Sequence, residues 1–425
     1  MPKPRLVRRI LKCLAALAVL GFLGAGVLLG SLWLEKRSEV TLPIPTGPFA
    51  VGRAIQVWAD ETQPDLRASV PGARRELLVW IWYPAVAGSA GAVAAEYSPA
   101  WMREASARAR VAAELARPAP MIVRVLTPIF RLLTRDESRV HGHSLRDPGL
   151  LPSERPFPVV VMRGGASTSV INYTTLAEDL ASHGYFVVGL DAPYRTGSVV
   201  FPDGRVIGRM PENDPDLYSG AEFQSVGNRL LAAWTADIAF VLDRVEHLNA
   251  SDASGRFTGR LDLARVGVFG HSFGGAQAAQ FCSEDPRCKA GIDIDGAPLG
   301  RVIEAGIHRP FMFLLSDHGR ESDPESQKIK ADIRSIYDHL PPDGRSLVEI
   351  RGAFHFTFSD DGALLKSRVV RGALRVLGKL GIDGRRQLTV TSYCVRSFFD
   401  AYLKGTGVSP LNLSSPQYPE IRVIE

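Results

Sequence analysis

The stretch Ala264-Arg265-Val266-Gly267-Val268-Phe269-Gly270-His271-Ser272-Phe273-Gly274-Gly275-Ala276-Gln277-Ala278-Ala279-Gln280-Phe281 decides how the rest of the chain is read. Its first six residues form an apolar run suited to a buried strand. Its last six suit a helix. Between them a serine stands among glycines, which reads as a tight strand-turn-helix with Ser272 at the apex. Such a turn pushes Oγ out of the sheet. Gly270 and Gly274 are expected where the strand and helix backbones pass too close for a Cβ. The same geometry aims the backbone N–H of Phe273 at the place where an oxyanion would form.

Outward from this turn, strand and helix signals alternate. Glu76–Pro84 reads as an early strand stopped by proline, and Phe157–Met162 and Tyr185–Leu190 as buried strands. Tyr173–His183 reads as a helix ended by Gly184, and Glu222–Leu248 as a long helix. Further strands are expected at Ala290–Ile294, Pro310–Leu315 and Ser346–Ile350. Helical patterns follow at Ser326–Leu340 and Leu388–Leu403. Strands alternating with helices imply an α/β architecture, a mostly parallel central sheet covered on both faces. With the serine turn, this predicts the α/β-hydrolase fold.

The chain has 425 residues, enough for several domains, yet the pattern runs from about Glu76 to Leu403 without a linker-like break. We therefore expect one hydrolase domain over 76–425, with residues 35–75 as a tether and lead-in. Residues 97–147 read as an insertion. Within it Met102–Leu115 is helical in tendency, and Met121–Arg135 is a cationic amphipathic segment with Pro128 inside it. That segment suits packing on the domain, a membrane surface, or a cover over the site.

The formal charge of +5 is concentrated at the N-terminus. Lys3, Arg5, Arg8, Arg9 and Lys12 precede the first acid, Glu35. Without those five the chain balances at 45 charges of each sign. No net field remains to attract nucleic acid, and no nucleic-acid motif is present. Cys13–Leu34 is an uncharged run of 22 residues, long enough to span a bilayer. No small-residue cleavage site ends it. A signal-anchor is favoured over a cleaved signal peptide, with residues 1–12 as a basic cytoplasmic tail and the domain outside the cytoplasmic membrane. Cys282 and Cys288 flank a turn-rich loop and could pair in an oxidising compartment. No metal or cofactor is expected, because two cysteines without a matching histidine pair make a poor zinc site.

A serine nucleophile needs a base and a group that orients it, and in this fold the order is Ser, acid, His. Four histidines follow Ser272: His308, His318, His339 and His355. Only His355 stands in a loop directly after the last predicted strand. Asp295 and Asp317 each end a predicted strand and either could serve it. Asp293 shares a face with Asp295 but lies deeper. The strand pattern alone leaves the acid open.

Gly270–Gly275, the segment around Asp295 and the His355 loop resemble the plasma-type platelet-activating-factor acetylhydrolase family and its bacterial relatives. Leu180-Ala181-Ser182-His183-Gly184 and Phe398-Phe399-Asp400-Ala401-Tyr402-Leu403-Lys404-Gly405 add to the resemblance, which covers about Leu77 to Gly405. It implies a metal-independent serine esterase acting on small-molecule or lipid esters, such as glycerophospholipids with short or oxidised sn-2 chains. It implies Ser272, Asp295 and His355 as the triad, with Asp317 the alternative acid. It places the second oxyanion donor at the N–H of Ala166, beside that of Phe273. Two features depart from the family pattern: Gly164-Gly165 stands where His-Gly is usual, and a long segment precedes Asp147.

Overall fold

The computed structural model describes residues 4–65, 67–88, 92–116, 135–166, 168–317, 323–364, 371–372, 375–376, 381–406, 413 and 415–424. An apolar helix, α1 (Pro4–Lys36), comes first. Its stretch Lys12–Lys36 is long and apolar enough to cross a membrane, and none of its most apolar window is buried against the protein. Most of the amphipathic segment expected at 121–135 lies outside the described residues, as does His318.

Among the described residues twelve strands make one sheet in the order β1-β5-β2-β3-β7-β6-β10-β11-β12-β13-β14, with β4 paired to β5. The strands are β1 (Val40–Thr41), β2 (Ala50–Pro64), β3 (Arg74–Ala85), β4 (Ala94–Glu96), β5 (Val140–Arg146), β6 (Phe157–Arg163) and β7 (Phe186–Asp191). A separate small ribbon holds β8 (Ser198–Val200) and β9 (Val206–Gly208), after which come β10 (Leu261–His271), β11 (Cys288–Ile294), β12 (Phe311–Leu315), β13 (Arg345–Ile350) and β14 (Ile421–Val423). The run β7-β6-β10-β11-β12-β13 is parallel throughout. The helices used below are α2 (Ala100–Ala116), α3 (Thr174–Ser182), α4 (Gly220–Ala250), α5 (Phe273–Glu284), α6 (Pro324–Asp338) and α7 (Gly384–Leu403).

Parallel strands buried on both faces should read as continuous apolar runs, and they do. All seven residues of β6 and all six of β7 are buried. Two apolar clusters flank the sheet. One packs Phe398 and Phe399 of α7 and Leu176 and Leu180 of α3 on Met162, Phe269 and Ile292. The other packs Trp234, Ile238 and Val241 of α4 and Ala278 of α5 on Val161, Val188 and Val268.

Two regions differ from the sequence expectation. Within the proposed lead-in, β2 pairs along β3 from Ala50↔Ala85 to Pro64↔Arg74, so the sheet begins well before Glu76. Within the proposed insertion, β5 pairs with β1, β2 and β4, so this segment builds one wing of the sheet. Buried polar groups explain why neither read as a strand. Arg53 on β2 is buried and donates to the carbonyls of Glu96 and Tyr97. Ser144 on β5 is buried and donates to the Glu178 carboxylate from both its N–H and Oγ. Pro84 stands inside β3, one residue before its end.

Candidate active site

The sharp turn between β10 and α5 leaves little room. A Cβ on Gly270 would sit 2.2 Å from the carbonyl oxygen of Gly274, and one on Gly274 would sit 2.5 Å from that of Gly164. Ser272 itself takes φ 56° and ψ −127°, a conformation that costs a non-glycine residue about 1–3 kcal/mol. Two hydrogen bonds hold it there. Its N–H donates to the carbonyl of Ile294 at 2.8 Å, and its carbonyl accepts from the N–H of Gly275 at 2.8 Å.

Asp295 follows β11, directly beside this turn, and is the second residue here with positive φ, at 54°. Its N–H donates to Leu314 of β12 at 2.9 Å. Its buried carboxylate accepts from the Ser316 N–H at 2.7 Å and the Ser316 Oγ at 2.8 Å. The same Oδ2 meets Nδ1 of His355 at 2.8 Å. With Nδ1 turned to the carboxylate, Nε2 is the nitrogen available to a serine hydroxyl.

His355 opens a short 3₁₀ turn after β13. Gln387 of α7 fixes that turn from behind: it accepts from the Phe354 N–H at 3.1 Å and donates to the Phe354 carbonyl at 3.0 Å. Asp360, beyond the turn, accepts from the N–H groups of Thr174 and Thr175 at 3.0 and 3.1 Å, tying the His355 segment to the start of α3. Asp317 does something else. It is exposed, and its Oδ2 accepts from the N–H of Gly352, before the histidine turn, at 3.0 Å.

Ser272, Asp295 and His355 line one cavity of about 240 Å³. Ala297, Leu315, Ile329 and Ile333 give it apolar walls, and Ser326 and Lys330 of α6 complete the rim. Among the described residues no cluster of His, Cys, Asp and Glu is suited to holding a metal.

Phe273 is the first residue of α5, so its N–H has no partner four residues back within the helix. The Gly164–Ala166 loop lies against the serine: a Cβ on Gly165 would meet the Ser272 Cβ at 3.4 Å. Two residues that the sequence did not single out set this loop. Tyr173 Oη accepts from the Gly165 N–H at 3.2 Å and bonds Nδ1 of His271 at 2.8 Å. Arg163, fully buried at the end of β6, donates from Nε to Gln277 of α5 at 2.7 Å and to the Leu190 carbonyl. Its guanidinium lies 5.2 Å from the Trp234 ring, which packs 5.0 Å from Phe273. Nothing in the local pattern of Phe157–Arg163 marks this arginine, because its partners lie 27 and 114 residues away.

His271 is structural in its contacts, as its place behind the serine implies. Its ring lies 4.5 Å from that of His355. Burial first, and then the nearby His355, pull its pKa down to about 3. Because the fold refuses a proton that the unfolded chain accepts below about pH 6.5, this burial costs nothing at neutral pH and destabilises progressively as pH falls towards 3. Between pH 7 and pH 5 the wild type should lose about 2 kcal/mol more than His271→Asn. Urea unfolding at the two pH values checks this, and equal slopes would contradict it.

Other cysteine, histidine and aspartate side chains serve the fold. Cys282 and Cys288 form a disulfide between the end of α5 and the start of β11, on the elements that carry Ser272 and Asp295 but at their far ends. His339 bonds the Ser335 carbonyl, His141 pairs with Glu39, and His183 meets Thr46 and Arg396. Asp191 accepts from Ser169 and the Val170 N–H, bracing the segment that follows the Gly164–Ala166 loop.

Comparison with known proteins finds esterases. The family described as platelet-activating factor acetylhydrolase, isoform II, matches residues 243–405, which include Ser272, Asp295 and His355. A "Probable 1-alkyl-2-acetylglycerophosphocholine esterase" of Arthroderma benhamiae is 26% identical over 401 residues, 90% of this chain and 94% of that protein. The chain is similar to the platelet-activating factor acetylhydrolases. The acetylhydrolase of Cavia porcellus is 22% identical over 60% of this chain and 59% of its own length. That of Canis lupus familiaris is 27% identical over 48% of each. Among solved structures, a ferulic acid esterase from Streptomyces cinnamoneus superposes with a TM-score of 0.69, 25% identity, and coverage of 91% of this chain and 100% of that one. The chain is thus an ester hydrolase with an α/β fold and an N-terminal apolar helix.

Proposed function

We propose that the protein hydrolyses short-acyl carboxylic esters, lipid esters among them, through an acyl-Ser272 intermediate. The observation that carries this reading is the Asp295–His355 pair, at 2.8 Å, opening on the same apolar-walled cavity as Ser272. In the first step Nε2 of His355 takes the proton from Ser272 Oγ as Oγ attacks the ester carbonyl. The N–H groups of Phe273 and Ala166 receive the oxyanion. The imidazolium gives its proton to the leaving alcohol, and the C–O bond breaks. Water, deprotonated by His355, then attacks the acyl-serine and releases the acid. Asp295 keeps Nδ1 as the protonated nitrogen and stabilises the imidazolium without taking the proton.

The cavity supports a short acyl group. At about 240 Å³ it falls below the roughly 300–1,000 Å³ of pockets that engulf drug-sized ligands. The name of the Arthroderma benhamiae relative specifies an acetyl ester of an alkylglycerophosphocholine, which fits such a pocket. The helix α1 suits a signal-anchor that holds the domain at the outer face of the cytoplasmic membrane, where lipid esters are at hand. The Cys282–Cys288 disulfide suits an oxidising compartment. The ferulic acid esterase likeness favours a second reading, a carboxylesterase of broader scope.

A hydrolysis panel separates the two. The proposal expects acetyl and butyryl esters, and phospholipids with an sn-2 acetyl group, to exceed palmitoyl esters in kcat/KM by at least about tenfold. Turnover of aryl esters with none of the acetyl phospholipid would favour the broader carboxylesterase. Turnover of long-chain lipids alone would remove the short-acyl reading.

A further inference from the structure

Asp293 lies two residues before Asp295 on β11, pairs in register with Gly270 of β10 and Phe313 of β12, and is fully buried. Two glycine-dependent approaches close around its carboxyl group. A Cβ on Gly275, in the first turn of α5, would fall 1.8 Å from Oδ1. A Cβ on Gly296 would fall 2.4 Å from Oδ1 and 2.5 Å from the carbonyl oxygen of Ser272. The carboxyl therefore sits under both strained turns, with Gly296 wedged between it and the serine backbone. Oδ1 accepts from the Gly296 N–H at 2.8 Å. Oδ2 is buried with no hydrogen-bond partner among the described residues.

We propose that Asp293 is a positioning residue that works as an uncharged carboxylic acid, bracing the Asp295 turn against the Ser272 turn. This rests on Ser272 and Asp295 acting as proposed above. An acceptor is needed because the Gly296 N–H would otherwise be buried unpaired. A charge is not tolerated, for among the described residues no cation faces the group. From β10 it meets Gly270, from β12 Phe313 and from α5 Gly275; among the described residues the charged group acting on it is Asp295, which opposes its ionisation. Burial, reinforced by Asp295, pushes its pKa up to about 8. Ionisation would put a second negative charge in the sheet behind Asp295, with nothing to pair it, and loosen the turn that holds the acid to His355.

The test compares Asp293→Asn and Asp293→Ala with wild type, reading kcat and KM for a short-acyl ester from pH 6 to 10. Alanine should lower kcat at neutral pH by about tenfold or more with KM little changed, since Gly296 loses its acceptor. Asparagine keeps Oδ1 and cannot ionise. It should restore most of that kcat and should lack the alkaline fall expected of wild type above about pH 8. Asn and Ala variants equally impaired, or an Asn profile that superimposes on wild type at alkaline pH, would overturn the proposal. Absence of wild-type turnover, with no labelling of Ser272, would instead remove the reading on which it rests.

Discussion

Ser272→Ala and His355→Ala should each remove nearly all turnover, with kcat falling by up to about 10⁶-fold while the fold survives. The serine forms the acyl intermediate, and the histidine moves both protons. Losing either stops the same step, so the double variant should be little worse than each single one. Ser272→Ala has a further consequence. Serine bears φ 56° there, and alanine must bear it too, so the substitution does not relieve the backbone. A thermal melt close to wild type should accompany the lost activity. Should the two variants retain substantial turnover, the site would lie elsewhere and the cavity would be a binding pocket.

Asp295→Asn should lower kcat by about 10⁴-fold, whereas Asp317→Asn should leave it within about threefold of wild type. The asparagine keeps the shape but offers an N–H₂ or a neutral oxygen where His355 Nδ1 needs an anion. The tautomer is then no longer held and the imidazolium is no longer paired. Asp317 accepts one hydrogen bond from the Gly352 N–H at an exposed position, a contact worth little that the asparagine oxygen can also make. Parallel kcat measurements on the two variants check this, and the reverse ranking would move the acid to Asp317.

The difference between these aspartates shows where sequence reading stops. Both end a strand, and period-two alternation treats them alike. What separates them is backbone geometry: Asp295 turns at φ 54° and meets Ser316 and His355, while Asp317 is directed to Gly352. No local pattern encodes that choice. The glycines did carry their own reason. Gly270 was required by the close approach of strand and helix, and the distance there bears that out, whereas Gly274 is required by its approach to the end of β6 and Gly164. The buried parallel strands were legible for the same kind of reason, because burial on both faces leaves an unbroken apolar run.

The wing formed by β1, β2, β4 and β5 was not legible. Gly52 and Arg53 in β2, and His141, Gly142, His143 and Ser144 in β5, break the apolar period. Their polar groups are satisfied by residues far along the chain, such as Glu178. Tyr173, Arg163 and Gln387 were hidden for a related reason, as was the role of Asp293. Each acts by touching a residue of the serine, histidine or oxyanion segments, and such a contact exists only once the sheet has formed.

The most direct measurement is covalent. A fluorophosphonate probe offered to the full chain at neutral pH, followed by proteolysis and mass spectrometry, reports which hydroxyl has been made nucleophilic. The account predicts a single adduct on the peptide carrying Ser272, lost in His355→Ala and strongly slowed in Asp295→Asn. An intact, folded protein that takes up no probe, or takes it up on a different residue, would contradict it.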